Sequence, residues 1–215
     1  AGESDGRAFL VMELIDGEDL GRMVKRLGPL PVGAACECAR QTAIGLAYLH
    51  ERAVVHRDIK PSNLIRTAAG VVKILDFGIA RHRVPSGEAL TQTGHGMGTP
   101  QFMAPEQAEG RTREADARTD VYGLGALLYH LTSGRAPFAG DSHVAVMTQV
   151  MKDEPVSVRL LNPTIPRDLE TICAKAMSKE ALRRYQTAQD MADDVQRFLD
   201  GKPVHARPVG ALGRT

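Results

Sequence analysis

The chain has 215 residues, a length that suits one domain or slightly more. Apolar residues make up 43% and charged residues 25% of the sequence, which excludes a wholly disordered chain and a collagen-like fibre. The 27 Lys and Arg residues nearly balance the 26 Asp and Glu residues, so the net charge of +1 argues against a nucleic acid or an anionic membrane as a partner.

The first part of the sequence predicts one strand and two helices. The apolar run at residues 9–12 predicts a buried strand, which the turn signal Asp16-Gly17 follows. Apolar residues spaced by three or four predict a helix over residues 18–27 and a longer amphipathic helix over residues 32–51. Gly28 is the predicted C-cap of the first helix.

The rest of the sequence predicts short strands, one long loop and then helices. Short apolar runs predict strands at residues 54–55, 64–65 and 71–75. Residues 81–98 show no periodicity and are predicted to form a functional loop. Helical spacing then recurs at residues 120–132, 143–151, 167–177 and 187–199. The predicted fold class is therefore α+β, a mainly helical body with a few short strands.

The three cysteines fit neither a disulfide framework nor a metal site. Cys36 and Cys38 lie two residues apart on the second predicted helix, and Cys173 lies far away in the sequence. We expect all three to be buried packing residues in a reduced compartment. No basic and apolar leader opens the sequence, and no apolar run is long enough to span a bilayer. These features predict a cytoplasmic location, with no membrane segment in these residues.

Three short motifs follow one another in the middle of the sequence. Residues 56–63 read HRDIKPSN and fit the pattern H-R-D-x-x-x-x-N. Residues 76–78 read DFG, and residues 104–106 read APE. Any one of these motifs could arise by chance, but three in this order and spacing are specific. On these residues the sequence resembles the eukaryotic-type protein kinases, in particular their bacterial Ser/Thr members.

The resemblance implies transfer of the γ-phosphoryl group of ATP, with Mg²⁺ as cofactor. It assigns Asp58 to accept the proton of the acceptor hydroxyl and Lys60 to place positive charge on the transferring group. It assigns Asn63 and Asp76 as hard oxygen ligands of Mg²⁺. Lys60, together with Thr99 in the GTP sequence before the APE motif, implies Ser and Thr residues of proteins as acceptors.

The resemblance also assigns the first predicted strand and the residues after it to the strand and hinge that hold adenine. Met12 is expected at the back of the pocket, where the backbone of Glu13 and Ile15 faces the adenine edge. Asp19 is expected to reach the ribose, and Ile65 to form the floor.

Residues 79–103 correspond to the activation segment of the family. Arg57 marks members that are controlled by phosphorylation of this segment, because a guanidinium group binds a phosphate well. Thr91 and Thr93 resemble the paired threonine sites of bacterial members, and we expect one of them to dock on Arg57 when phosphorylated. The corresponding hypothesis about partners is a kinase dimer, in which one copy phosphorylates the other.

Five further positions receive structural roles from the resemblance: His56, Phe77, Glu106, Asp120 and Arg184. Glu106 is expected to form an ion pair with Arg184. Asp120 is expected to accept hydrogen bonds from backbone N–H groups of residues 56–63. A second interpretation of Asp120, an acid favoured by the helix dipole, is compatible with the first.

The resemblance covers about residues 8–200, which correspond to the hinge and the large lobe. We assign residues 1–200 to a partial kinase domain, and the Pro- and Gly-rich residues 201–215 to a linker or tail. The small lobe's Gly-rich loop, strand Lys and helix Glu have no match. The GHGMG sequence has the wrong spacing, and Lys73 is interpreted as a surface strand residue. We therefore expect a truncated form without the N-terminal lobe, whose tail in a longer protein could lead to a membrane anchor.

The sequence features bear on three function classes. A Ser/Thr protein kinase is favoured, because the transfer residues of the large lobe are all present. The alternative is a non-catalytic, kinase-like docking module, which the unmatched strand Lys and helix Glu support. A small-molecule phosphotransferase is disfavoured, because it should lack Thr99, the APE motif and the long loop. The expected partners are protein substrates with Ser or Thr acceptors, and no nucleic acid.

Overall fold

The computed structural model of the protein describes residues 2–4, 7–9, 12–76 and 100–206. Its helices are α1 (Leu20–Leu27), α2 (Val32–His50), α3 (Pro105–Ala108), α4 (Ala117–Ser133), α5 (His143–Lys152), α6 (Val158–Leu161), α7 (Arg167–Ala176) and α8 (Ala188–Leu199). Its strands are β1 (Gly2–Ser4), β2 (Arg7–Phe9), β3 (Gly17–Asp19), β4 (Leu64–Thr67) and β5 (Val72–Ile74). In the described part of the chain, no helix is long and apolar enough to cross a membrane.

Helix α4 runs through the centre of the helical body. Residues 119–129 of this helix are all buried, so it is covered on every side, as its nearly continuous apolar sequence predicted. Two glycines allow neighbours to approach it closely. A Cβ atom at Gly123 would lie 2.9 Å from the Cβ atom of Ile59, and one at Gly125 would lie 2.7 Å from that of Ala176. The contact at Gly123 seats the segment that carries the HRD motif directly on the core.

Five long helices were predicted within a few residues of their observed bounds, and the mainly helical fold is confirmed. Helix α1 begins at Leu20 rather than at residue 18, because the Asp19 carboxylate accepts a hydrogen bond from the Arg22 N–H at 2.9 Å and caps the helix. Gly28 ends this helix with a positive φ of 76°, as predicted.

Two strand predictions and one turn prediction need correction. The strand predicted at residues 9–12 is β2, which ends at Phe9 and pairs antiparallel with β1. Residues 10 and 11 lie outside the described residues, and Met12 is not in a strand. No strand forms at residues 54–55, because the Val54 N–H bonds back to the Leu49 carbonyl at the end of α2. The predicted turn at Asp16-Gly17 instead leads into β3.

Strands β3, β4 and β5 form one antiparallel sheet in that order. Asp19 lies opposite Ile65, and Ile65 lies opposite Lys73. The turn between β4 and β5 contains Gly70 with a φ of 83°, as the predicted turn requires. This sheet joins the end of the HRD segment to the start of the DFG motif.

The three cysteines are free and buried, as expected for packing residues. Burial raises the pKa of Cys36 to about 12, and it also raises the pKa of Cys38 and of Cys173. Because the thiolate is the reactive form, we expect an aromatic disulfide reagent to label none of them in the native protein and all three after unfolding. Absorbance of the released thiol measures this. Equal labelling before and after unfolding would contradict the burial of these residues.

The first residues of the predicted linker are bonded to the helical body. The buried Asp194 carboxylate of α8 accepts hydrogen bonds from the His205 N–H at 2.5 Å and from the Ala206 N–H at 2.8 Å. The Tyr185 hydroxyl donates to the same carboxylate at 2.7 Å. Residues 207–215 lie outside the described residues, so the linker assignment stays a prediction.

Candidate active site

Residues 56–63, called the HRD loop below, connect the end of α2 to β4 and bring three predicted site residues together. The Lys60 Nζ atom lies 2.8 Å from Oδ2 of Asp58. The Asn63 Nδ2 atom donates to the Asp58 carbonyl at 2.9 Å and to Asp58 Oδ2 at 3.2 Å. An amide donates through nitrogen only, so the Asn63 Oδ1 atom is the one available to a cation.

Asp76 is placed next to this cluster by the backbone. The Leu75 N–H donates to the Asn63 carbonyl at 2.8 Å, so the residue after Leu75 lies beside the end of the HRD loop. Asp76 is exposed and has a φ of 53°, in the left-handed region that few non-glycine residues adopt. The structure thus brings Asp58, Lys60, Asn63 and Asp76 into one region, as the motif spacing predicted.

His56 ties the HRD loop to the residues that follow β5. Its side chain is buried, and its Nε2 atom lies 2.8 Å from the Leu75 carbonyl. Its Nδ1 atom accepts from the Asp58 N–H at 3.3 Å, which requires Nδ1 to be unprotonated. Nε2 therefore carries the proton and donates to Leu75. This arrangement assigns the neutral Nε2–H tautomer and fits the structural role expected for His56.

Asp120 fixes the HRD loop to the first turn of α4. Its Oδ1 atom accepts from the Arg57 N–H at 2.7 Å, and its Oδ2 atom accepts from the His56 N–H at 2.8 Å. These are the backbone contacts expected from the sequence, and they coexist with the position of Asp120 near a helix N-terminus. The His50 Nε2 atom lies 2.8 Å from Oδ2. Sequence reasoning missed His50, whose one signal is its place in the last turn of α2.

Arg57 has an unusual backbone and a half-buried side chain. Its φ is 64°, a conformation that costs free energy in a residue with a Cβ atom. Within the described part of the chain, its buried Nε atom has no hydrogen-bond partner. Phe77, Thr91, Thr93 and Thr99 lie outside the described residues, so their assigned roles stay predictions.

The expected ion pair between Glu106 and Arg184 is present and buried. Arg184 Nη1 and Nη2 each lie 2.8 Å from one carboxylate oxygen of Glu106, in the bidentate geometry that guanidinium and carboxylate groups favour. The Thr119 hydroxyl donates to the same carboxylate at 2.8 Å. The other Arg184 N–H groups bond to the carbonyls of Ser178, Arg118 and Lys179.

The positive charge of Arg184 controls the ionisation of Glu106. Burial acts to raise the pKa of Glu106, but the hydrogen bonds and the positive charge of Arg184 outweigh it and hold the pKa below its usual value. Glu106 is therefore ionised at neutral pH. The pair joins the start of α3 to the segment between α7 and α8.

Comparison with known proteins matches residues 1–198 to the protein kinase domain. The chain belongs to the protein kinase family. It is 39% identical over 201 residues to the serine/threonine-protein kinase PknB of Mycobacterium tuberculosis, covering 94% of this chain and 32% of that protein. It is 41% identical over 205 residues to a probable serine/threonine-protein kinase of Streptomyces coelicolor, SCO3848, covering 95% and 30% respectively. The chain thus spans about a third of the length of these relatives.

The fold of this kinase domain also matches a solved structure. The structure described as Rad53 1-466 in complex with AMP-PNP aligns with a TM-score of 0.68 and 24% identity. The alignment covers 85% of this chain and 44% of that one. At this identity the likeness shows the fold alone, which is the mainly helical one predicted.

The residues assigned to adenine and ribose do not form a cluster like the one in the HRD loop. Met12 is 64% exposed, so most of its side chain is in solvent, and its position at the back of the adenine pocket stays a prediction. Ile65 lies in β4 opposite Asp19, whose carboxylate is already engaged as the cap of α1. Ile15 is half-buried. The nucleotide contacts of these residues stay predictions.

Glu13 has a contact that the sequence did not indicate. Its carboxylate pairs with Lys73 Nζ at 2.5 Å, across 60 residues of sequence. Lys73 lies in β5 and its side chain is 36% exposed, which agrees with its interpretation as a surface strand residue. The pair links the segment before β3 to the sheet edge, and the role of the Glu13 backbone towards adenine stays a prediction.

Proposed function

We propose that this kinase domain transfers the γ-phosphoryl group of ATP to serine and threonine hydroxyls of proteins. The observation that carries the proposal is the joined cluster of Asp58, Lys60 and Asn63, with Asp76 held beside it through the backbone bond from Leu75 to Asn63. A carboxylate, an ammonium group and two oxygen ligands are the groups that phosphoryl transfer asks a protein to supply.

In this proposal Asp58 receives the proton of the acceptor hydroxyl. The acceptor oxygen forms a bond to the γ-phosphorus, the bond from that phosphorus to the β,γ-bridging oxygen breaks, and ADP leaves. The Asp58 carboxylate orients the hydroxyl in line with the breaking bond. Lys60, 2.8 Å from Asp58 Oδ2, places a compact positive charge where negative charge is spread over the transferring oxygens.

The oxygen donors at the end of the HRD loop fit Mg²⁺. Asn63 would offer Oδ1, because its Nδ2 is bonded to Asp58, and the exposed Asp76 would offer its carboxylate. Such a set suits a hard cation that shares its coordination with water and phosphate. When bound, the ion neutralises charge on the phosphates of ATP.

The proposal includes control by phosphorylation. Phosphorylated Thr91 or Thr93 would supply acceptor oxygens and negative charge to Arg57, whose buried Nε atom lacks a partner within the described residues. A second copy of the kinase would be the enzyme that modifies these threonines. Arg57 directly precedes Asp58, so a phosphate held there would act next to the proton acceptor.

A phosphorylation assay tests the proposed function. The 215-residue chain and the product of the whole open reading frame are each incubated with labelled ATP and a mixed Ser, Thr and Tyr peptide library. We expect label on Ser and Thr peptides in the presence of Mg²⁺, and loss of labelling with EDTA. Label on Tyr peptides alone, or equal label with EDTA, would overturn the proposal. Binding of peptides by both forms without any transfer would favour the docking module instead.

A further inference from the structure

The peptide group that joins Arg57 to Asp58 is held on both of its edges. Its carbonyl oxygen, which belongs to Arg57, accepts a hydrogen bond from Gln107 Nε2 at 2.8 Å. Its N–H, which belongs to Asp58, donates to His56 Nδ1 at 3.3 Å. Rotation of this peptide plane would break both bonds and would change the backbone dihedral angles on either side of it, including the φ of Asp58.

Gln107 makes this contact from the other side of the HRD loop, 50 residues further along the chain. Its Oε1 atom accepts from the Ala104 N–H at 3.0 Å, so both ends of the amide are used and its orientation is settled. Its neighbour Glu106 is locked by the buried pair with Arg184. Gln107 therefore reaches the HRD loop from a rigid anchor.

We infer that Gln107 is a positioning residue for Asp58, an inference that rests on the proposed function. The left-handed conformation of Arg57 is costly, and such backbone persists only where the surroundings hold it. Asp120 holds the N–H of Arg57, and Gln107 holds its carbonyl. Without Gln107 this peptide loses the 2.8 Å bond at its carbonyl edge, so the backbone from which the Asp58 carboxylate extends towards Lys60 and Asn63 is held less firmly.

Two variants separate this role from a merely structural one. Gln107→Leu removes both hydrogen bonds. Gln107→Glu keeps an oxygen for the Ala104 N–H but turns a carboxylate oxygen towards the Arg57 carbonyl. It therefore removes only the hydrogen bond to the Arg57 carbonyl. The control is Gln149→Leu, which removes a 3.0 Å bond of the same kind, from a glutamine Nε2 to the Ala139 carbonyl, in α5.

Turnover and amide hydrogen exchange are measured on all three variants. The variants are made in the form that is active in the phosphorylation assay. If neither form is active, they are made in the 215-residue chain. We expect kcat to fall about 10- to 100-fold in both Gln107 variants, with the KM for ATP unchanged within about twofold. We also expect faster exchange of the Asp58 N–H in both variants than in Gln149→Leu.

The outcomes distinguish this inference from the proposed function. If the wild-type protein transfers phosphate and Gln107→Glu matches Gln149→Leu in kcat, the positioning role is wrong. If the wild-type protein transfers none, the proposed function fails, and exchange at Asp58 decides the positioning role alone. Unchanged exchange in both Gln107 variants would then overturn it.

Discussion

Replacing Asp58 with asparagine is expected to lower kcat for phosphoryl transfer by about 10²- to 10⁴-fold, the range that a positioned proton acceptor contributes. Asparagine has nearly the same shape and can still accept a hydrogen bond from Lys60, which lies 2.8 Å from Asp58 Oδ2. It cannot take up the acceptor proton. The loss should therefore fall on kcat, and the KM for ATP should stay within a few-fold. Single-turnover measurement with labelled ATP reports the transfer step itself.

The control for this substitution is Asp193→Asn. Asp193 is an exposed aspartate of α8 whose Oδ1 accepts a 2.7 Å hydrogen bond from the Gln189 side chain, so the change in charge and shape is the same but lies far along the chain from the HRD loop. We expect wild-type kcat from it and similar thermal midpoints for both variants. An Asp58→Asn protein with wild-type kcat would show that another group takes the proton.

The parts of this fold that the sequence predicted well are those whose signal is local. Helices such as α2 and α8 repeat apolar residues every three or four positions, and the Thr187 side chain caps the start of α8. Strand β3 was missed because its three residues gain their structure from β4, about 48 residues away. Residues 54–55 have the right β-branched composition, but their backbone is engaged by the end of α2.

The same distinction applies to the candidate site. Asp58, Lys60 and Asn63 lie within six residues of one another, so a motif can capture them. His50 contacts Asp120, which holds the HRD loop, and Gln107 contacts the carbonyl of Arg57 in the loop itself. Each does so through a single hydrogen bond. A histidine at a helix end and a glutamine in a four-residue helix leave no pattern that distinguishes them from surface residues. Contacts of this kind require the three-dimensional structure.

Replacing Glu106 with glutamine is expected to destabilise the domain by about 3–5 kcal/mol, the cost of leaving one member of a buried ion pair without its counter-charge. The Arg184 side chain is 0% exposed and would keep its bonds to three carbonyls but lose the carboxylate. Urea unfolding measures the change in the free energy of unfolding. Since the pKa of Glu106 is lowered in the folded state, its contribution is full above the ordinary glutamate pKa of about 4.3. It is lost as the pH falls through the lowered value, so the two proteins should converge in acid.

Two controls show whether the cost comes from the buried charge. Glu180→Gln weakens an exposed pair with Arg183, at 2.8 Å, and should leave the unfolding midpoint unchanged within error, because exposed pairs contribute little. The double variant Glu106→Leu with Arg184→Met leaves no uncompensated charge and should be more stable than Glu106→Gln alone. A double variant that is less stable than the single one would mean that packing and the carbonyl bonds of Arg184, rather than its charge, dominate. The buried pair of Glu106 and Arg184 holds α3 in place. Gln107 contacts the HRD loop from this same helix.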